Sequence, residues 1–161
     1  MTAAGNWQIT AMLRYPVAMN TPTDWRNAVQ VRRATALADE RAMQGGRTTV
    51  FDFSGIGGSE KAWVGSVHVA PGSNTGPHTH GRHEVMIHAV RGRSEIRWGA
   101  RLEYAIEIGP GDAVYFAPHV PHQERSLETT EMVEYLVVRS DNEKIANQLP
   151  DVQPVENPQC F

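Results

Sequence analysis

From Thr48 to Val138 the chain reads as short apolar runs in which hydrophobic and polar residues take alternate places. Trp63–Ala70 (WVGSVHVA) sets Trp63, Val67 and Val69 against Ser66 and His68, and a period of two marks a half-buried strand. The same texture predicts strands over Thr48–Phe53, Glu84–Val90, Ser94–Trp98, Arg101–Ile108, Ala113–Ala117 and Glu131–Val138. Between them stand turn formers: PGSNTGP at 71–77, Arg91-Gly92-Arg93 and Gly109-Pro110-Gly111-Asp112, with a loop beginning at Gly55. Seven or eight short strands at this spacing predict an all-β sandwich or barrel over residues 46–140. Outside it the pattern changes. Ala34–Met43 (ATALADERAM) holds good helix formers and stops at Gly45-Gly46, so a short helix is expected there. Residues 1–45, interrupted early by Pro16 and Pro22, form an N-terminal arm, and residues 141–161, with Pro150, Pro154 and Pro158, a C-terminal tail of surface packing or coil.

Composition narrows this picture. A length of 161 residues suits one domain, and 14 Gly with 10 Pro favour a turn-rich chain over a helical bundle. A net charge of −3 with no basic stripe argues against a nucleic-acid partner. The one cysteine, Cys160, allows neither an intrachain disulfide nor a cysteine-based zinc site. The N-terminus lacks the apolar core of a signal peptide, and no run approaches the length of a membrane span, so no membrane partner and a cytoplasmic location are expected.

Histidine is the unusual count. All seven fall between His68 and His122. His78 and His80 sit two apart, so on a strand they project from one face about 7 Å apart and can converge on a point off that face. Glu84 follows a Gly81-Arg82-His83 turn that can swing its carboxylate back, and His122 can arrive from a neighbouring strand. Three imidazoles with one carboxylate suit a single Mn, Fe, Ni or Zn ion, and the lack of thiolates disfavours a purely structural zinc site. An HxH pair alone is more often two ordinary histidines; the surrounding glycine turns, Glu84 and His122 are what favour a metal. Of the others, Arg82 and His83 are expected to be solvated in the turn, His68 structural, and His88 buried in the interior. His119 lies beside His122, where it is either an acid–base for a bound substrate or an exposed turn residue. Trp98, Tyr104 and Tyr115 follow the core alternation and read as packing residues. A GxSxG elbow and a phosphate-binding glycine loop are both missing.

The segment Gly72-SNTGP-His78-T-His80-GRH-Glu84-VMIHAVR-Gly92 resembles the first cupin motif, with seven residues instead of six before Gly92. The segment Gly111-DAVYF-Ala117-Pro118-His119-VP-His122-QER-Ser126 resembles the second, with Ala117, His119 and Ser126 where the motif has Pro, Gly and Asn. The run RWGARLEYAIEIGPGDAVYFAPHVPHQE is similar to small RmlC-like cupins, which often carry a mannose-6-phosphate isomerase-like label that says little about substrate. The resemblance implies a double-stranded β-helix, or jelly roll, with the metal in its mouth and a homodimer that uses the N-terminal arm for strand exchange.

Two functions compete on these residues. One is a small metalloenzyme of dioxygenase, isomerase or lyase type, in which His78, His80, Glu84 and His122 hold a divalent transition metal. His119 would move protons on an oxygen-rich acid, enediol or sugar derivative. The other is a non-catalytic, metal-dependent module that binds or senses a small molecule. A metal-free sugar epimerase of the same fold is disfavoured by the complete ligand set.

Overall fold

A computed structural model of the chain describes residues 31, 41–42, 46–52, 61–140 and 146–161. Within these, twelve strands follow in order: β1 Arg41–Ala42, β2 Arg47–Asp52, β3 Trp63–Val69, β4 His78–Thr79, β5 Val85–Arg91, β6 Ser94–Trp98, β7 Tyr104–Ile108, β8 Ala113–Phe116, β9 His122–Ser126, β10 Val133–Arg139, β11 Asn147–Gln148 and β12 Gln159–Cys160. They form two six-stranded sheets, ordered β1-β2-β3-β10-β5-β8 and β11-β4-β9-β6-β7-β12. Strands distant in sequence are therefore neighbours, as in the jelly roll built from two Greek keys.

Seven expected strands are present, and β9, which the alternation did not single out, is the eighth of useful length. The helix expected over residues 34–43 lies outside the described residues except at Arg41–Ala42. Those two pair with Thr48 and Thr49 as a strand instead. The loop at 55–60 and most of the arm also lie outside. The tail is more ordered than expected: β11 pairs with β4, and β12 runs parallel to β7.

The core lies between the sheets. Trp63, Val67, Val69, Val85, Ile87, Ala89, Phe116, Val133 and Tyr135 from one sheet meet Ile96 and Ile108 from the other. On β5 the alternation is strict over its first five residues, with Val85, Ile87 and Ala89 buried and Met86 and His88 exposed. Each apolar side chain removed from water contributes roughly 1.5–3 kcal/mol, which is why the core, rather than any single turn, sets the facing of this strand. Tyr135 reaches across the core and donates its hydroxyl to Ser94 Oγ. Burial outweighs that hydrogen bond and raises the phenol to about 12, so it stays protonated.

Candidate metal centre

His78 is on β4 and His122 on β9, directly opposite each other in the antiparallel register. His80 follows two residues after His78, just past β4, on the same side. All three are buried, and one nitrogen from each lies within 4.8 Å of the others. The rings crowd together, with centroids 4.3 Å apart for His78–His122 and 4.5 Å for His80–His122.

The hydrogen bonds fix which nitrogens are free. His78 Nδ1 lies 3.0 Å from the Gly76 carbonyl and His122 Nδ1 lies 2.9 Å from the Val120 carbonyl. A carbonyl oxygen only accepts, so both Nδ1 atoms carry hydrogen, and in the neutral ring Nε2 holds the lone pair. His78 Nε2, His122 Nε2 and His80 Nδ1 are buried with no hydrogen-bond partner. Leaving three such atoms unsatisfied costs on the order of 1–3 kcal/mol each. Metal-binding histidines show this arrangement, with the second nitrogen donating to a backbone carbonyl and orienting the ring. The donor set therefore fits a divalent transition metal.

Electrostatics favour the ligating form. Burial first, and the neighbouring His122 ring next, depress His80 to about 3. Burial also holds His122 below its ordinary value. Both rings are neutral near pH 7 and ready to donate a lone pair.

The expected carboxylate is elsewhere. Glu84 shares the outward parity of Met86 and His88, is exposed, and accepts a hydrogen bond from the Tyr115 hydroxyl at 2.7 Å. The structure brings three of the four expected ligands together and leaves this one outside. A different acid is beside them. Glu124, two residues after His122 on β9, is buried, and its Oε2 lies 3.8 Å from His78 Nε2. Thr75 anchors it: the Thr75 hydroxyl donates to Glu124 Oε2 at 2.8 Å and accepts from the Glu124 amide at 3.1 Å. Burial would raise this carboxyl, but the His78 and His122 rings, Arg47 and the Thr75 hydroxyl outweigh it and bring it to about 2. When the His78 ring is neutral, two electron-rich atoms face each other across that gap, an arrangement that a cation relieves. The sequence did carry a signal for it. His122-Gln123-Glu124 has the same i, i+2 spacing as His78-Thr79-His80.

The remaining candidates separate. His119 is exposed, sits at φ 64° and donates its amide to the Gly81 carbonyl, which ties its turn to the one after His80. It is not part of the histidine group. His83, expected to be solvated, is buried, whereas Arg82 is exposed. His88, expected inside, is exposed because β5 presents Ile87 and Ala89 to the core. His68 lies 3.8 Å from Glu134 across β3 and β10. Trp98 and Tyr104 pack with Phe161, while Tyr115 is exposed and holds Glu84.

The two sheets form a β-sandwich whose histidine group could hold a metal ion. Residues 65–139 match the cupin domain family. Among solved structures, the polyketide cyclase RemF from Streptomyces resistomycificus aligns with a TM-score of 0.59 at 19% identity, covering 77% of this chain and 89% of that one. KdgF from Halomonas sp. aligns at 0.53 and 22%, covering 66% and 88%. Oxalate decarboxylase from Bacillus subtilis aligns at 0.57 and 21% over 70% of this chain, but the match spans only 30% of that larger protein. At these identities the likeness is one of fold. No curated protein matches the chain by sequence. Among the described residues no helix is long and apolar enough to cross a membrane.

Proposed function

We propose that this cupin binds one divalent transition metal through His78, His80 and His122 and acts as a small metalloenzyme on an oxygen-bearing small molecule. The observation that carries the reading is the set of three buried, unpartnered ring nitrogens within 4.8 Å of one another. The oxalate decarboxylase that shares the fold has Mn(II) centres, which makes manganese the first metal to test. Glu124 is proposed as the neighbouring carboxylate in place of Glu84, because it is buried against His78 while Glu84 is exposed.

A bound divalent metal supplies Lewis acidity, polarising an oxygen of the substrate or of water. The chain's own residues do the rest. The Gly76 and Val120 carbonyls hold two imidazoles in one tautomer and orientation. Phe116 stacks on His122 at 4.2 Å and braces that ring. Glu124, ionised and clamped by Thr75, balances positive charge beside the rings. His119, which is exposed, is the candidate for exchanging a proton between substrate and solvent. We also propose a homodimer, for which the exposed Met86, Val90, Tyr115 and Leu136 on the outer face of the first sheet give physical support.

Elemental analysis of the purified protein tests the metal, followed by oxygen-consumption and turnover assays over acids, enediols and sugar derivatives. The reading expects about one metal ion per chain and turnover of at least one of these compounds. A stoichiometric metal with no turnover anywhere in the series would favour the binding or sensing module instead.

A further inference from the structure

Beside the histidine group lies a second space of different chemistry. A cleft of about 700 Å³ opens between β6 and β7 on one sheet and β8 on the other. Its walls include Ile96, Trp98, Ile106, Ile108, Val114 and Phe116. That volume falls within the usual range for small-molecule sites, roughly 300–1,000 Å³. The space lined by His80 and Glu124, by contrast, holds only about 70 Å³, room for a few atoms.

The cleft and the metal centre share walls. Phe116 lines the cleft, stacks on His122 at 4.2 Å and meets the edge of His80 at 5.9 Å. Trp98, also in the lining, stands directly opposite His122 in the β6–β9 register, and Ile96 stands opposite Glu124. The charged residues of the lining, Glu107 and Asp112, are both acidic and already engaged. Glu107 accepts from Arg93 Nη1 at 2.9 Å, and Asp112 accepts from the Gly109 amide at 2.8 Å. Among the described residues no cationic side chain lines the cleft, so a phosphate or a polyacid finds no charge to pair with there. Aromatic walls at Trp98 and Phe116 favour a flat occupant that stacks.

We propose that this cleft is a binding subsite for a flat, uncharged carbon body, aromatic or polyene, lying against Phe116 and Trp98 next to the histidine group. The assignment of the ligand's oxygen-bearing end to the metal rests on the proposed function; the body's site stands on the cleft alone. The substrate class narrows accordingly, away from small phosphosugars and toward oxygenated planar molecules.

The test uses N-phenyl-1-naphthylamine, a neutral planar fluorophore with no metal-chelating pair of atoms, titrated into the full chain with and without chelator. Saturable binding of one probe per chain is expected in both conditions, with quenching of tryptophan emission that falls in Trp98→Phe. Ile106→Asp should weaken binding at least tenfold. Ile106→Trp, which fills the space without introducing charge, should do the same, and circular dichroism checks that each variant is folded. Metal content should be unchanged in a folded variant. The absence of saturable binding, or equal affinity in wild type and folded Ile106→Trp, would overturn the subsite. A protein that binds probe but no metal would instead reject the proposed function and leave this subsite standing.

Discussion

The side chains that matter most here are held by very short polar connections. His78 and His122 each have one nitrogen committed to a carbonyl two residues earlier in the chain, so ring orientation is set locally. The free nitrogens then converge because β4 and β9 are paired. His78→Ala or His122→Ala is expected to lower bound metal to under about a tenth of wild type by elemental analysis, since three-histidine sites tolerate ligand loss poorly. Glu84→Gln should leave metal content unchanged, whereas Glu124→Gln should weaken metal affinity about 10–100-fold. The reverse pattern would restore Glu84 as the carboxylate. Acid sensitivity also belongs at this scale. His80 ionises near 6.5 in the unfolded chain but near 3 in the fold, so between those values the unfolded state binds more protons. Its contribution to stability is complete above about pH 6.5 and is lost progressively as pH falls toward 3. Glu124, depressed from 4.5 to about 2, adds a further loss across that lower window. The denaturant midpoint of the metal-free protein should therefore drop between pH 7.5 and 5, and His80→Gln should flatten the decline. An unchanged midpoint in the parent protein would contradict the depressed histidine.

Among the elements, β5 decides which residues reach the interior. Its inward positions are Val85, Ile87 and Ala89, and a strand with one buried face resists a one-residue slip because that slip would expose all three. Glu84 is fixed outward by this packing. The strand's register against β10 is irregular at Val90, where Glu134 pairs with Arg91 and Tyr135 with Ala89. That irregularity lies close to the turn at which the sequence has one residue more than the cupin motif. The turn itself is tight. Gly92 has φ 77°, and a Cβ there would stand 3.0 Å from Val133 Cγ2 and 3.1 Å from Val133 Cα. Gly92→Ala is expected to cost about 1–3 kcal/mol in equilibrium denaturation with no change in metal stoichiometry. A loss below measurement error would show that the β5–β6 turn relaxes freely.

At the scale of the molecule, two sheets divide the work. The three clustered histidines sit on β4, just past it and on β9, while β3, β5 and β10 supply most of the core that holds the sheets together. The outer face of the first sheet exposes several large apolar side chains: Met86 faces Tyr115 across β5–β8, and Leu136 faces His88 across β5–β10. Met86, Val90, Tyr115 and Leu136 are 46, 47, 54 and 36% exposed, which is a costly set to leave in water on one face. On the proposed dimer, light scattering should give twice the chain mass, and Met86→Lys combined with Leu136→Lys should shift it to the monomer. A wild-type monomer at micromolar concentration would dispose of the proposal.

What the sequence determined by itself was whatever depends on neighbours along the chain. Strand alternation, glycine turns and the i, i+2 pairing of His78 with His80 are local geometry, and they were legible together with the cupin fold. The same logic extends to Glu124 through its spacing from His122, although the longer-range motif drew attention to Glu84 instead. Tertiary structure alone decided the direction of β5, because only packing against Ile96, Tyr135 and their neighbours chooses which of its two faces is buried. It likewise decided that His88 turns out, that His83 turns in, and that the tail joins the second sheet through β11 and β12. The clustering of histidine in the chain marked a candidate metal site. Cross-strand pairing selected the three rings that form it and the acid beside them.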